Sequence, residues 1–498
     1  MHIGRRVAVL AAVTLMAGLA TACTKNEGSA EKADAAHPHT ASIATDPAAS
    51  RGPAPAVPGA SSGGTVHILQ EKDYEHLDPQ RTYIANAGII EQLFTRTLTG
   101  FTQTEGKSGT LVGDLATDAG RDVRHDCRVW DYTIKSGVRY EDGSAVTAAD
   151  VARGIARSFS PDLSEGPHYL QQWLTGKQVY NGDYTGPFNG GRALPPGLTV
   201  HGDTIRFTFP QPHCDMPYAA AMSGTVPVPA AKDTGAKYDL RPFSSGPYKI
   251  AEYRRDSRLV LVRNTYWDAK TDPIRHQYPE RIQVDLGAAD VEQTNRLVAD
   301  TGADATALST AAVPQSLIPQ VEKNATAMKR ALTGQNGFTF YLALNCERIT
   351  DPTIRKAMSY AVDRYAVIQV LGGPKAAVPA TTLQSPTIVG WQNYDAFPAG
   401  AHGNLAKAKE LLHGRHPALT YAYSNTAVNQ REAPLIKEMF ERVGFTITLR
   451  GLDATSFSTS LGQHPPYDFY QTGWGADWPS GAATLPVLFD GRSIRAKG

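Results

Sequence analysis

Two short stretches in the N-terminal half of the chain alternate strictly between apolar and polar residues. Residues 130–134 read Trp-Asp-Tyr-Thr-Ile, and residues 205–209 read Ile-Arg-Phe-Thr-Phe. A period of two is typical of a β-strand with one buried face, so both stretches are predicted strands. Between them, Asp150 follows Thr147 at the spacing of a capping box. Apolar residues then recur at every fourth position from 151 to 159 and predict a helix.

The C-terminal half alternates between strand patterns and helix patterns. Residues 338–344 form a mostly apolar run of strand length. Asp351 and Pro352 predict the start of a helix, because Asp caps the free N–H groups of a first turn and Pro fits the first helical position. A later amphipathic helix is stopped by Gly444, and residues 445–449 then alternate as a strand. A helix that ends at Gly and leads directly into a strand predicts an α/β fold.

The first 23 residues have the pattern of an export signal. A basic start precedes an apolar run over residues 7–20, which is shorter than the roughly 20 residues that span a membrane. Residues 19–23 read Leu-Ala-Thr-Ala-Cys and resemble a bacterial lipobox, in which Cys23 is lipidated. The Ala-Thr-Ala before Cys23 also fits ordinary cleavage and release, so that alternative stays open. We expect a lipoprotein on the outer face of the cytoplasmic membrane.

Composition and charge divide the rest of the chain. Residues 24–64 are rich in Ala, Pro, Ser and Gly and contain no aromatic residue, so they are predicted to be a disordered tether. The roughly 430 residues that follow are too many to fold around a single hydrophobic core, which predicts two or three domains. The formal net charge is +1. Since there is no basic and aromatic stripe either, nucleic acid is not expected as a partner.

Three cysteines remain besides Cys23. They are Cys127, Cys214 and Cys346, and although export permits disulfides, three cysteines cannot all pair. Cys127 and Cys214 each lie beside a predicted strand in the same region, so we predict that these two form a disulfide. Cys346 would then be a buried thiol.

No established catalytic or metal motif accounts for the chain. There is no Walker loop, no H-E-x-x-H and no C-x-x-C. His213, Cys214 and Asp215 suggest a cysteine nucleophile beside its base, but adjacent side chains point in different directions, and a disulfide is favoured. The histidines show no ligand spacing, so no metal and no cofactor is expected. An enzyme is disfavoured, although catalytic groups can converge from distant positions.

One acid near the C-terminal end, Asp477, stands between two tryptophans, Trp474 and Trp478. Gly475 allows the backbone to turn tightly or to approach a ligand closely. A carboxylate flanked by aromatic rings is poorly hydrated and can hold a cation. An Asp before an aromatic residue and a Pro is also ordinary turn chemistry. The residues alone leave both interpretations open.

Four stretches follow one another along the chain, at residues 132–151, 245–268, 341–364 and 474–477. They contain a strand with a Gly-Val turn and an Asp-Gly pair, a Gly-Pro-Tyr segment with Tyr-Trp, a strand ending at Leu-Asn before a helix, and a Trp-x-Ala-Asp core. Taken in this order, they resemble one family: the extracytoplasmic solute-binding proteins of peptide, dipeptide and nickel ABC importers, in the oligopeptide-binding branch.

The resemblance implies a two-lobe periplasmic-binding-protein fold, often called a Venus flytrap. Lobe one would span residues 65–285 with a subdomain inserted at about 96–200, and lobe two would span residues 286–498. Members of the family continue with helices that return to lobe one, whereas this chain stops 21 residues after Asp477. We therefore expect the return segment to be missing.

The resemblance also implies a site and a function. Asp477 would pair with the α-ammonium of a peptide, beside a cleft formed by Trp474, Gly475 and Trp478, and further contacts are expected from Tyr83, Tyr341 and Asn345. The expected function is that of a monomeric receptor that delivers oligopeptides or dipeptides to an ABC permease and ATPase complex. A binder of nickel chelates or another small solute is the first alternative, and an exported hydrolase is the second.

Overall fold

The computed structural model describes residues 41–83, 85–104, 109–163, 165–180, 182, 184–188, 190–461 and 465–493. The strands are β1 (Ser42–Ile43), β2 (Thr65–Gln70), β3 (Thr99–Phe101), β4 (Thr110–Gly113), β5 (Arg121–Asp122), β6 (Val129–Thr133), β7 (Leu198–His201), β8 (Thr204–Thr208), β9 (Tyr248–Arg254), β10 (Arg258–Arg263), β11 (Arg281–Leu286), β12 (Ala307–Ser309), β13 (Phe338–Leu344), β14 (Ala418–Ser424), β15 (Thr446–Leu452) and β16 (Phe469–Gly475). The helices are α1 (Ala85–Phe94), α2 (Ala148–Arg157), α3 (Tyr169–Thr175), α4 (Met216–Ala219), α5 (Asp290–Ala299), α6 (Ile318–Lys323), α7 (Ala325–Arg330), α8 (Pro352–Ala361), α9 (Arg364–Leu371), α10 (Leu405–Leu412), α11 (Ala427–Glu441), α12 (Ala454–Leu461) and α13 (Leu485–Phe489). Within these described ranges, no helix combines the length and the apolar character that crossing a membrane requires.

The helix starts predicted from capping residues are confirmed. The Thr147 side chain accepts a hydrogen bond from the Asp150 backbone N–H, and the Asp150 carboxylate accepts one from the Thr147 N–H, so α2 begins with a capping box. Helix α8 begins at Pro352, and Asp351 accepts a hydrogen bond from the first turn. In both cases a side chain satisfies backbone donors that the helix itself leaves unpaired.

Lobe one is built on a five-stranded sheet in the order β12-β2-β11-β10-β9. Strands β2, β11 and β12 run parallel, and β9 and β10 add an antiparallel edge. Helix α1 packs on this sheet through Ile90 and Phe94. The predicted start of lobe two at residue 286 is too early, because β12 pairs with β2 and helix α5 contacts both strands. A short three-residue strand gave no separate hydrophobic pattern from which this pairing could be predicted.

The inserted subdomain has its own sheet, in the order β5-β6-β8-β7, with helix α2 packed against it. Strand β8 lies beyond residue 200, so the sheet extends past the predicted end of the insertion. The predicted disulfide between Cys127 and Cys214 is confirmed, and it joins the segment before β6 to the segment after β8. This subdomain also carries helix α3.

Lobe two is a four-stranded sheet in the order β13-β16-β14-β15, with helices α8, α10 and α11 contributing to its core. Phe469 at the start of β16 is fully buried and stacks on Tyr421 of β14. Strand β16 runs antiparallel to β13 and ends at Gly475. The chain therefore leaves the sheet two residues before Asp477.

The prediction of a disordered tether is wrong for residues 41–64. Strand β1 pairs in parallel with β4, the buried Ser50 hydroxyl accepts a hydrogen bond from Gly113, and the Ala54 N–H donates to the Asp272 carbonyl. Composition describes the apolar surface of side chains, whereas this segment is held mainly through its backbone. The predicted signal peptide, Cys23 and residues 24–40 lie outside the described residues.

The prediction that Cys346 is a buried thiol is also wrong, because its side chain is exposed. Cys346 follows the end of β13 in a turn, where the N–H groups of Arg348 and Ile349 donate to the Asn345 carbonyl. Turns leave the sheet toward the surface, so the apolar character of the preceding strand did not extend to this residue.

Candidate functional site

The Asp477 carboxylate is shared between the two lobes. It follows β16 in lobe two, and its Oδ2 accepts hydrogen bonds from the hydroxyls of Tyr83 at 2.7 Å and Tyr169 at 2.5 Å. Tyr83 lies between β2 and α1 in lobe one, and Tyr169 is the first residue of α3 in the inserted subdomain. Two hydroxyls thus fix one oxygen of the carboxylate, whereas no described residue donates a hydrogen bond to Oδ1.

Asp477 is an acid in a poorly hydrated place. Burial raises its pKa above the usual value, and the hydrogen bonds from Tyr169 and Tyr83 offset part of that shift. Burial and the neighbouring carboxylate also raise the pKa of both tyrosine hydroxyls, so both remain protonated donors. No lysine or arginine in the described ranges forms an ion pair with Asp477. The site therefore holds a half-buried acid whose hydrogen-bond donors are neutral.

A cavity of about 250 Å³ lies where the two lobes meet at Asp477. Tyr83, Tyr169 and Trp474 line it, and Asp477, which does not line it, accepts hydrogen bonds from the two tyrosine hydroxyls. The lining contains no lysine, arginine, aspartate or glutamate: its residues are Tyr83, His168, Tyr169, Gln172, Gln178, Val179, Trp474 and Val487.

Alternation along β16 separates the roles of Trp474 and Gly475. Trp474 faces the cavity, and its indole N–H donates to the Ala483 carbonyl at 3.1 Å. Gly475 lies opposite Phe338 of β13, and a Cβ at this position would lie 2.7 Å from the phenylalanine ring. A larger residue at position 475 would therefore displace the half-exposed Phe338 ring. The structure shows Gly475 next to Phe338, and the expectation that Gly475 allows a ligand to approach closely stays a prediction.

Trp478 does not line the cavity, so its expected place in the cleft wall is corrected. It is buried, and its ring meets Tyr169 edge to face with centroids 4.5 Å apart. Its indole N–H donates to Asp215 Oδ2 at 2.7 Å. Trp478 thus fastens the end of β16 to the inserted subdomain, because burying an indole requires both apolar neighbours and a hydrogen-bond acceptor.

The remaining two expected contacts lie on β13 and at its end. Tyr341 pairs with Thr472 and therefore shares a face of the sheet with Trp474, although it is not among the residues that line the cavity. The Asn345 side-chain amide donates to the carbonyls of Pro465 and Tyr467. Asn345 thus supports a loop of its own lobe, and this geometry favours a structural role.

Sequence reasoning found Asp477, Trp474 and Tyr83 but missed Tyr169. Tyr169 lies in a helix of the inserted subdomain, more than 300 positions before its hydrogen-bond partner. No motif or spacing marks this first residue of α3. Only the fold brings the helix to the end of β16.

Comparison with known proteins places these features in a family. Residues 110–495 match the family described as bacterial extracellular solute-binding proteins, family 5, middle region. The dipeptide-binding protein DppE of Bacillus subtilis (strain 168) is 22% identical over 396 residues, which cover 76% of this chain and 69% of that protein.

Solved structures give the same result at the level of the fold. Clavulanic acid biosynthesis oligopeptide binding protein 2 is 28% identical with a TM-score of 0.80, over 88% of this chain and 81% of that one. The Helicobacter pylori ABC transporter-associated periplasmic binding protein DppA, in complex with the peptide STSA, is 17% identical with a TM-score of 0.65, over 86% of this chain and 81% of that one. The second likeness concerns the fold alone.

Proposed function

The chain belongs to the bacterial extracellular solute-binding proteins of family 5, and from this membership we propose that it is the peptide receptor of an ABC importer. It captures oligopeptides or dipeptides in the cleft between its lobes and passes them to a membrane permease. Several relatives and solved neighbours are named as dipeptide- or oligopeptide-binding proteins, which supports peptides over nickel chelates as the ligand class.

The observation that carries the proposal is the state of Asp477. Its carboxylate is half-buried with a raised pKa, and one oxygen is already fixed by Tyr83 and Tyr169. A ligand ammonium that reaches Oδ1 would neutralise the charge and complete the hydrogen bonding of the site. Since hydroxyls from lobe one and a carboxylate from lobe two meet here, binding at this point favours the closed arrangement of the lobes.

The family acts outside the cytoplasm, and we extend the proposal to the way the protein is held there. Lipidation of Cys23 would anchor the receptor to the outer face of the membrane, close to the permease. Replacing Cys23 by Ala would then release the exported protein into the culture medium, whereas unchanged membrane association would contradict the anchor.

Mass spectrometry of the ligand that co-purifies with the exported protein tests the function. The protein is purified without added ligand and denatured, and the released small molecules are identified. We expect peptides with free amino termini. Recovery of a metal chelate would favour the alternative binder, and cleavage of peptides added to the purified protein would indicate a hydrolase instead.

The affinity for tetra-alanine is expected to be highest at an intermediate pH and to fall in both acid and base. As the pH falls through the raised pKa of Asp477, the carboxylate gains a proton and can no longer pair with an ammonium, so affinity is lost. As the pH rises above about 8, the α-amino group of the peptide loses its proton, and affinity falls again. Calorimetric titrations between pH 4 and pH 9 check both limbs.

Replacing Tyr169 by Phe is expected to move the acidic limb of this profile to higher pH. The hydroxyl of Tyr169 lowers the pKa of Asp477, so its removal lets burial raise that pKa further. Tyr394 is exposed in lobe two, and Tyr394→Phe serves as the matched control with an unchanged midpoint. A Tyr169→Phe midpoint that is unchanged or lower would show that Asp477 does not govern the acidic limb.

A further inference from the structure

Two residues that flank Cys214, His213 and Asp215, connect the disulfide to the surroundings of the binding site. On one side, the His213 ring stacks on Trp173 with centroids 4.4 Å apart and planes 9° from parallel. On the other side, Asp215 Oδ2 accepts the hydrogen bond of the Trp478 indole. Both neighbours of Cys214 therefore contact the aromatic cluster that surrounds Trp478.

Trp478 connects this cluster to the ligand anchor, since it directly follows Asp477 in the chain. Its ring is 3% exposed and meets Tyr169 and Trp173 edge to face. Tyr169 also donates its hydroxyl to Asp477. The backbone at Asp477 and a hydrogen-bond donor to its carboxylate are thus fixed by the same buried indole.

The segment that carries Asp215 is itself held in place. The disulfide joins Cys214 to Cys127, and the His213 N–H donates to the Cys127 carbonyl at 2.8 Å. On the far side, the Asp215 carbonyl accepts the Tyr218 N–H as helix α4 begins. Burial lowers the pKa of His213 to about 4, so its ring stacks on Trp173 in the neutral form near pH 7. Asp215 is therefore a fixed acceptor.

We propose that Asp215 is a positioning residue for the ligand anchor: held by the disulfide at Cys214, it fixes the Trp478 indole and thereby sets the Asp477 carboxylate for the ammonium of the ligand. The proposal rests on the peptide-receptor function and names a residue that touches no ligand. A buried indole N–H that loses its acceptor is left without a hydrogen bond, which destabilises its buried position. The ring then shifts or water enters beside it, and the adjacent Asp477 carboxylate moves with the ring.

The readout is the ratio of the affinities for tetra-alanine and N-acetyl-tetra-alanine. This ratio reports how well the carboxylate meets an ammonium, and a general loss of stability or of cleft shape changes both affinities together. Asp215→Ala and Trp478→Phe are each expected to lower the ratio about tenfold, as for a lost hydrogen bond to a charged group. Asp215→Asn keeps an acceptor for the indole and is expected to retain the ratio within threefold.

Two further comparisons test whether Asp215 changes the affinity ratio by acting on Trp478. In the Trp478→Phe background, Asp215→Ala is expected to have no further effect on the ratio, because the hydrogen bond is already gone. Asp126→Ala is the control: it changes an exposed acid near Cys127 whose carboxylate accepts the Arg128 N–H. Its ratio is expected to equal that of the unmodified protein.

Reduction of the disulfide provides an independent test of the same proposal. Cys214 is exposed, so dithiothreitol can reach the bond in the unmodified protein. Reduction is expected to lower the ratio in the same direction as Asp215→Ala, and reoxidation is expected to restore it. In Asp215→Ala, reduction is expected to add little.

The outcomes separate this inference from the function on which it rests. Absence of tetra-alanine binding to the unmodified protein would overturn the receptor function. A ratio that falls in Asp477→Asn but is unchanged in Asp215→Ala would overturn the positioning role alone, and so would a double variant of Asp215→Ala and Trp478→Phe in which the two losses add. A low ratio in Asp215→Asn would do the same, because that variant retains the acceptor.

Discussion

Asp477→Asn is expected to bind tetra-alanine about 30-fold to several thousand-fold more weakly than the unmodified protein, the usual range for removing one partner of a desolvated, hydrogen-bonded charge pair. The substituted amide still accepts the hydroxyls of Tyr83 and Tyr169, so the local hydrogen bonds of the ligand-free site are kept. What is lost is the negative charge that the ammonium of the peptide requires. Calorimetry at pH 7 measures the difference directly.

The control for this variant is Asp395→Asn, which changes an exposed turn residue of lobe two that accepts the Phe397 N–H. Its affinity is expected to equal that of the unmodified protein. If Asp477→Asn also binds tetra-alanine within threefold of the unmodified protein, Asp477 is only a turn residue and the proposed anchor is wrong.

The same variant has a second, opposite effect on stability. Burial raises the pKa of Asp477 in the folded, ligand-free protein above its unfolded value. Such an acid stabilises the fold below its unfolded pKa and loses that contribution as the pH rises through the folded pKa. At pH 7 the charged carboxylate therefore destabilises the ligand-free protein. Asp477→Asn is expected to melt at a higher temperature at pH 7, and the difference should shrink in acid.

Arg96→Met is expected to lower the free energy of unfolding by about 3–5 kcal/mol, because it removes one of the two arginines, Arg96 and Arg275, that neutralise the buried carboxylates of Asp114 and Asp272. The Arg96 guanidinium is fully buried, and it donates to Asp114 Oδ1 at 2.7 Å and to the Thr271 carbonyl at 2.8 Å. Burial alone would raise the pKa of Asp272, but the charges of Arg96 and Arg275 outweigh it and hold that pKa below its usual value. This network joins the inserted subdomain to lobe one.

Urea unfolding followed by circular dichroism measures this loss. Arg254→Met is the control, since Arg254 forms an ion pair with Glu252 at the surface and its side chain is 67% exposed. Exposed pairs contribute about 0–1 kcal/mol, so little change is expected there. Equal unfolding midpoints for Arg96→Met and Arg254→Met would show that the buried network does not stabilise the fold.

Local patterns predicted those parts of the fold that local physics determines. Alternation along residues 130–134 predicted a strand that is observed as β6, and the spacing of Thr147 and Asp150 predicted the capping box of α2. The pairing of Cys127 with Cys214 followed from their positions beside strands. Each of these features depends on neighbouring residues or on one nearby pair of strands.

Features that depend on distant partners could not be predicted in this way. Residues 41–64 have too few apolar side chains to suggest folding, yet their backbone pairs with β4 and with the loop at Asp272. Strand β12 has three residues, and only its pairing with β2 assigns it to lobe one. Neither partner is visible from the composition of the segment itself.

The candidate site shows the same division. Asp477 between two tryptophans could be found in the sequence, because the motif is local. The roles of its neighbours depend on contacts across the fold: Trp478 is buried against the inserted subdomain, and Gly475 makes room for the Phe338 ring. Tyr169 has no local signal at all, and only the structure shows that it shares Asp477 with Tyr83.

The most direct test of the central claim compares tetra-alanine with N-acetyl-tetra-alanine on the unmodified protein. Acetylation removes the positive charge of the amino terminus and leaves the rest of the peptide in place. If Asp477 pairs with the ammonium, tetra-alanine binds saturably at pH 7 and the acetylated peptide binds with an affinity at least about 30-fold lower. Equal affinity for the two peptides would contradict the role of Asp477 as the ammonium anchor.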